Sequence, residues 1–497
     1  MTTARKVLLV LGLILGVPLL ALAVLVVVVS IDEAPPFDDD LRVVRLQIPD
    51  DQNAYTYFKQ AIDKLDLPKD DEPPLDSPAP PPKFKPAPGE ERAPNTPPTR
   101  RQRWDALAND EVDWDQPIVD EVLKRNEAAL ALLDKGLAAP HFQWPEIKTF
   151  EQSMEGPGTG YLRIAELLAF RAASKAKRGD YEAAHEDFAA LVRFGHKIES
   201  GKGYLVQYLL GVTIKQTGNW HMRRHLPGCA LPSARLRQYA AELGKFPATA
   251  EDLVGAFRAE CSFNRMFLQW VRRGEVPATI LSSAACLEPE PTAASWVLKR
   301  LPASRPFFKP NRTARQYAEF MRVLIDAAPK HGREAQDSAM VLDQRRKFHP
   351  VRSALAGNLF GDALSSVYVL TFQMTLALKC NTNVDIAATR TLLAMKAYKL
   401  DKGRLPETLE QLVPEYLDAV PIDDFDGKPL RYNAAKKIIY SVGKDLEDDG
   451  GTTRQEFIEV KAREMGVDPK DEQQVRDHYL DAEYPWEAPD PAFAIEF

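Results

Sequence analysis

Residues 7–29, VLLVLGLILGVPLLALAVLVVVV, form a run of 23 consecutive uncharged and almost wholly apolar side chains. As a helix rising 1.5 Å per residue, such a run covers roughly 30 Å of hydrocarbon, the thickness of a bilayer core. It therefore reads as a membrane span and removes the first 30 residues from any water-soluble fold. A secretory signal has a shorter apolar stretch that ends in small residues; here Ala21-Leu22-Ala23 supplies the small residues, but six more apolar residues follow, so an uncleaved anchor is expected. Arg5 and Lys6 precede the run, and Asp32, Glu33 and Asp38 to Asp40 follow it. The positive-inside rule then keeps the N-terminus cytoplasmic and places the bulk of the chain beyond a bacterial inner membrane, in the periplasm. Gly16 and Pro18 are tolerated inside a lipid-embedded helix.

The formal charge of −7 is unevenly spread, because residues 441–497 carry 16 acids and 6 bases, or −10, which leaves +3 for the rest. A near-neutral body with an acidic end has no electrostatic footprint for nucleic acid and no polybasic patch of the kind that holds anionic lipid. Four cysteines, Cys229, Cys261, Cys286 and Cys380, fall on the exported side with no CxxC pair among them. An even count in an oxidising compartment allows one or two disulfides; buried free thiols are the alternative.

Beyond the anchor, residues 31–65 form a juxtamembrane segment whose NAYTYFKQAIDKL stretch reads as a short amphipathic helix with Tyr57, Phe58, Ile62 and Leu65 on one side. Residues 66–103 are a linker: 12 prolines lie between positions 68 and 98, a composition that favours extended polyproline backbone and serves as a spacer between anchor and body or as a mobile excursion. Residues 104–380 read as helix after helix, broken at Gly or Pro. In YLRIAELLAFRAASKAKRGDYEAAHEDFAALVRFG, residues 161–195, Leu162, Ala165, Leu168, Ala169, Ala172 and Ala176 line one helix, while Tyr181, Ala184, Phe188, Leu191 and Val192 line the next. The GDYEAA…F junction resembles the turn of a tetratricopeptide repeat at Gly179, Tyr181, Ala184 and Phe188, without a second copy at a period of about 34 residues. An irregular helical-hairpin domain is expected.

Residues 381–460 form the last expected unit. A helix over residues 384–402 ends at Gly403, a short helix runs from Pro406 to Val413, and PLRYNAAKKIIYSV reads as a β-hairpin with Leu430 and Tyr432 on one strand and Ile438 and Tyr440 on the other. Residues 461–497 are an acidic tail ending in an extended strap or a loose end. The run KGRLPETLEQLVPEYLDAVPIDDFDGKPLRY…IIYSVGKDLEDDGG, residues 402–451, resembles the C-terminal part of the major pseudopilins of type II secretion. It is also similar to segments of membrane-anchored helical envelope proteins of planctomycete-like bacteria. The pseudopilin resemblance implies a structural Ca²⁺ in the acidic loop, with carboxylates from Asp445, Asp448 and Asp449 and a main-chain carbonyl near Val442. Hard oxygens spaced one to four residues apart beside Gly450-Gly451 suit that ion. No acid lies between Lys6 and Asp32, and some 350 residues intervene between anchor and C-terminal unit, so a filament subunit is not expected.

For catalysis, His221 and His225 stand four apart on one helical face, a spacing that suits a shared metal, but no glutamate or third ligand accompanies them. His185 and His196, with Glu199, form a second candidate for acid–base work. EGPGTGY, residues 155–161, lacks the lysine and serine of a phosphate loop. The chain therefore reads as mainly α, with a transmembrane helix, a TPR-like hairpin domain and a small α+β unit. Its expected work is non-catalytic binding or scaffolding of an unnamed protein partner. An accessory role in a secretion or pilus-like system and an envelope hydrolase are the alternatives.

Overall fold

The computed structural model describes residues 31–69, 71–80, 97–108, 112–154, 158–277, 307–334, 348–466 and 488–497, together with Val297, Asp337, Ser338 and Trp486. The expected membrane span lies outside these residues, and among them no helix is long and apolar enough to cross a membrane. Helix dominates the described chain, joined by one small antiparallel sheet near the C-terminus.

Helix α1 (Ala54–Asp63) starts where Asn53 accepts the Tyr55 amide, and it buries Ala54, Phe58 and Ala61. After α2 (Arg100–Ala108) and α3 (Gln116–Arg125), helix α4 (Glu127–Ala138) lies against α1. A Cβ at Gly136 would stand 2.4 Å from the Phe58 ring, so this close approach requires the missing side chain. Helix α1 is packed into the same core as the helices that follow the proline-rich stretch. The described ends of that stretch are tied down: Glu72 accepts from Arg125, and buried Arg103 donates to the Ser77 carbonyl at 2.7 Å while pairing with Asp115. Both flanks bury side chains in the body.

The chain continues through α5 (Phe150–Met154) to the expected hairpin, α6 (Gly158–Lys177) and α7 (Tyr181–Glu199). Gly179 takes the left-handed φ of +83° in the turn, and Asp180 caps α7 by accepting the Ala183 amide. Helix α8 (Leu205–His225) crosses α7 very closely. A Cβ at Gly195 would come within 2.4 Å of the Gly211 carbonyl oxygen, and one at Gly211 within 2.4 Å of the Glu199 amide nitrogen. Next come α9 (Ser233–Leu243), α10 (Ala250–Arg273), α11 (Pro310–Ala327), the six-residue α12 (Pro350–Leu355) and the 44-residue α13 (Leu359–Lys402).

Beside a small cluster of Ile438, Tyr440 and Ala492 in the sheet, two large apolar clusters form most of the core. One joins α1, α3, α4, α6, α7, α9 and the C-terminal half of α13; the other joins Leu41, α10, α11 and the start of α13. Helix α8 serves both, giving Leu210, Ile214 and Met222 to the first and Leu205, Tyr208 and Val212 to the second. Helix α13 starts 25 residues earlier than expected and passes residue 380 unbroken. Its polar CNTNVD stretch is partly satisfied across the fold: Thr382 donates to the Leu378 carbonyl, and Asn383 donates to the Ala248 carbonyl and to Asp424, while Asn381 Oδ1 and Asp385 Oδ2 are buried with no hydrogen-bond partner among the described residues.

Gly403 ends α13 at φ 72°, as the sequence predicts. The hairpin pairs β1 (Arg431–Asn433) with β2 (Ile438–Tyr440), and a third strand, β3 (Ala492–Ala494), adds to β2 with Ile439 opposite Phe493. Within the expected strap, residues 492–494 are thus a sheet strand, and Phe493 and Ile495 enter the main core. Between them, Thr453 and Glu456 form a capping box at the start of α14 (Arg454–Met465), a helix that extends past residue 460 into the expected tail.

Candidate functional site

The acidic loop is built around Asp423, a carboxylate with no exposed surface. Its Oδ1 accepts from Ser441 Oγ at 2.9 Å and from the Phe425 amide at 3.1 Å; its Oδ2 accepts from the Val442 amide at 2.9 Å and from Arg431 at 2.8 Å. Arg431 also pairs with Asp426 and lies 3.5 Å from Asp448. The positive charge that clustered carboxylates require is thus supplied in part by the chain itself. Asp448 accepts the Tyr440 hydroxyl at 3.0 Å, and burial, reinforced by that bond, pushes the Tyr440 phenol up to about 12.

The four residues of the expected calcium set are not gathered at one point by these contacts. Asp445 accepts the Glu447 amide within its own turn, and the Val442 amide donates to Asp423, a bond that does not engage the Val442 carbonyl. Instead, Asp490 arrives from the C-terminal strap. Its Oδ2 accepts the Asp449 and Gly451 amides at 2.8 and 3.0 Å, while its buried Oδ1 has no hydrogen-bond partner among the described residues. Burial raises its carboxyl above the ordinary range, and neighbouring Asp448 and Asp449 push in the same direction. In the sequence Asp490 sits in a proline-rich strap, where nothing signals that it folds back onto the loop.

The histidines separate into two places. His221 and His225 stack with Phe188, at ring centroid distances of 5.9 and 5.4 Å, and burial lowers them to about 3 and about 4. His185 is fully buried, donates Nδ1–H to the Tyr181 carbonyl at 3.0 Å, and is lowered to about 4, also by burial. All three are neutral packing groups of the α7–α8 region at physiological pH, and among the described residues no third ligand joins His221 and His225.

His196 and Glu199 do meet. Together with Asp252 they form a set of three whose potential ligand atoms lie within 4.8 Å of one another. One member of this cluster is already engaged: the Lys215 ammonium, with no exposed surface, donates to Glu199 Oε1 at 2.5 Å and to the Phe246 carbonyl at 3.0 Å. His196 Nδ1 shares the same carboxylate oxygen at 3.1 Å. The arrangement follows from the glycine crossing, since Glu199 stands one turn beyond Gly195 and Lys215 one turn beyond Gly211. A small residue followed four positions later by a charge, repeated on paired helices, is the signal that would have marked this ion pair.

The described surface also holds an open groove of about 470 Å³ between α3, α4 and α6. Leu123, Leu130 and Ala131 line it between Asp120, Lys124, Glu127, Asp134, Arg171 and Arg178. Arg171 pairs with Asp134 at 3.0 Å and with buried Asp187 at 2.8 Å. Compared with known protein families, curated proteins and solved structures, the chain has no match.

Proposed function

We propose that this chain is a membrane-anchored, extracytoplasmic bacterial protein that binds or scaffolds other proteins without catalysing a reaction. In this reading the body is TPR-like and the C-terminal unit pseudopilin-like. The observation that carries it is the groove on α3, α4 and α6, where apolar side chains alternate with charges of both signs. Such a lining suits a polypeptide with interspersed charges better than a small apolar ligand. The groups that resemble catalytic equipment point inward and engage one another, as Lys215, Glu199 and His196 do.

The test is capture by tagged full-length protein in detergent, comparing wild type with Lys124→Glu/Glu127→Lys. Both side chains are exposed, so folding should persist. A polypeptide retained by wild type and by the control Glu459→Lys on α14, but lost from the groove variant, supports the proposal. Identical capture by all three would overturn it.

A structural Ca²⁺ in the acidic loop is a second reading, favoured by the orphaned Oδ1 of Asp490. Asp448, Asp449 and Asp490 would then hold it, and the ion would pin the C-terminal strap to the loop. Chelator should lower the melting temperature of wild type and leave that of Asp490→Asn unchanged; equal behaviour of the two removes the ion.

A further inference from the structure

We infer that α12 and the chain leaving the span form one lipid-facing end of the body, so that this end rests directly on the bilayer surface. The inference rests on the membrane-span reading and goes beyond it.

Helices α11 and α13 run side by side in the same direction, because Thr313 meets Asn358 while Gln316 reaches Asp362 and Ser365. Both therefore begin at the same end of the molecule. Asp32 is fixed to that end, where its carboxylate accepts the Asn311 amide at 2.9 Å, and Asn311 donates to the Glu33 carbonyl at 2.8 Å. A span ending at residue 29 consequently leaves only two residues before the body, too few to hold it away from the membrane. Helix α12 directly precedes α13 at this end. It turns Ser353 inward and leaves Val351 74% and Leu355 76% exposed, four residues apart on one face. Ile31 adds a third apolar side chain, 62% exposed. Exposed Arg352 lies on the same short helix, where it can meet anionic headgroups, while half-exposed Arg315 is paired with Glu33 at 2.9 Å.

A six-residue helix with two apolar side chains would bind a bilayer weakly by itself. Held at the membrane by the adjoining span, it experiences a high effective concentration of lipid, and a weak contact is then populated. The occupant is the lipid surface, since the described chain begins at this end, two residues after the expected span.

The test uses full-length protein reconstituted in vesicles of zwitterionic and anionic phospholipid, labelled with bimane at Leu355→Cys or at the control Leu400→Cys. The control lies at the far end of α13, roughly 60 Å along the helix. Unmutated protein sets the background from native thiols. Bromine-bearing lipid should quench the label at 355 and not at 400, and Val351→Asp should reduce that quenching without loss of thermal stability. Quenching at neither position, in protein that floats with the vesicles, would overturn the inference while leaving the span intact. Disulfide-linked dimers through Cys at 355 without quenching would give the face to a second copy and overturn it too. Protein that does not float would overturn both readings.

Discussion

Two buried carboxylates, Glu199 in the helical body and Asp423 in the C-terminal unit, meet the same electrostatic problem by different means. Glu199 relies on one cation: Lys215 and His196 both bond to Oε1, while Oε2 is buried with no partner among the described residues. Asp423 spreads its charge over two backbone amides, a serine hydroxyl and Arg431, using both oxygens. Burial still raises the Asp423 carboxyl, although each of those donors works against it. The difference follows from local chain geometry. A loop can turn its own amides toward an anion, whereas helix interiors have spent theirs, and a charge buried between helices needs a side chain. The body is therefore expected to be fragile to single substitutions at its ion pair, and the loop tolerant.

The sharpest way to break this comparison is Lys215→Met. Removing the ammonium leaves Glu199 buried and nearly unsolvated, which is expected to cost about 3–5 kcal/mol. Chemical denaturation of the variant checks this, and adding Glu199→Gln should recover much of the loss. Retention of wild-type stability by Lys215→Met would mean that Glu199 is already neutral or hydrated, and the contrast with Asp423 would disappear.

Acid sharpens the contrast next. His185, His221 and His225 all lie in the body, each lowered by burial to about 4, about 3 and about 4 from an unfolded value near 6.5. The unfolded chain thus binds more protons below pH 6.5, so their contribution is fully present above that pH and is lost as pH falls toward 4. One unit below 6.5 each fully buried histidine loses about 1.4 kcal/mol, and with a discount for the partly exposed pair the sum is about 2–4 kcal/mol. Hydrogen exchange at pH 5.5 and 7.5 should show protection falling in α7 and α8 before the β1–β2 hairpin. Simultaneous loss in both would show that they unfold as one unit.

Much of this architecture was legible because it rests on periodicity. The α6–α7 hairpin follows from small and large apolar residues at helical spacing, and the β1–β2 pair from alternation around Asn433 to Lys436. What escaped was long-range satisfaction of polar groups. CNTNVD resembles a helix break until Asn383 finds Ala248 and Asp424 across the fold. Likewise, Lys215 in GVTIKQTG looks like a solvated lysine until Gly195 and Gly211 bring the two helices together. The acidic loop was visible as a cluster, but Asp490, some 40 residues further along, was not. Its place depends on β3 pairing with β2, and a three-residue strand carries too little pattern to announce itself.

The smallest expected effect lies on the tolerant side of the comparison. Arg431→Met removes the loop's cation, yet Asp423 keeps the Phe425 and Val442 amides and the Ser441 hydroxyl. Losing the charge-assisted bonds to Asp423 and Asp426 is expected to cost about 1.5–3 kcal/mol, below the cost of Lys215→Met. Asp448→Asn should cost less still, about 1 kcal/mol or under and diminishing with added salt, because its side chain is 49% exposed and its arginine contact is long. Melting curves of the two variants at low and high salt read both effects. If Arg431→Met proved as damaging as Lys215→Met, the loop amides would be secondary, and the guanidinium would be the group that holds the C-terminal strand in place.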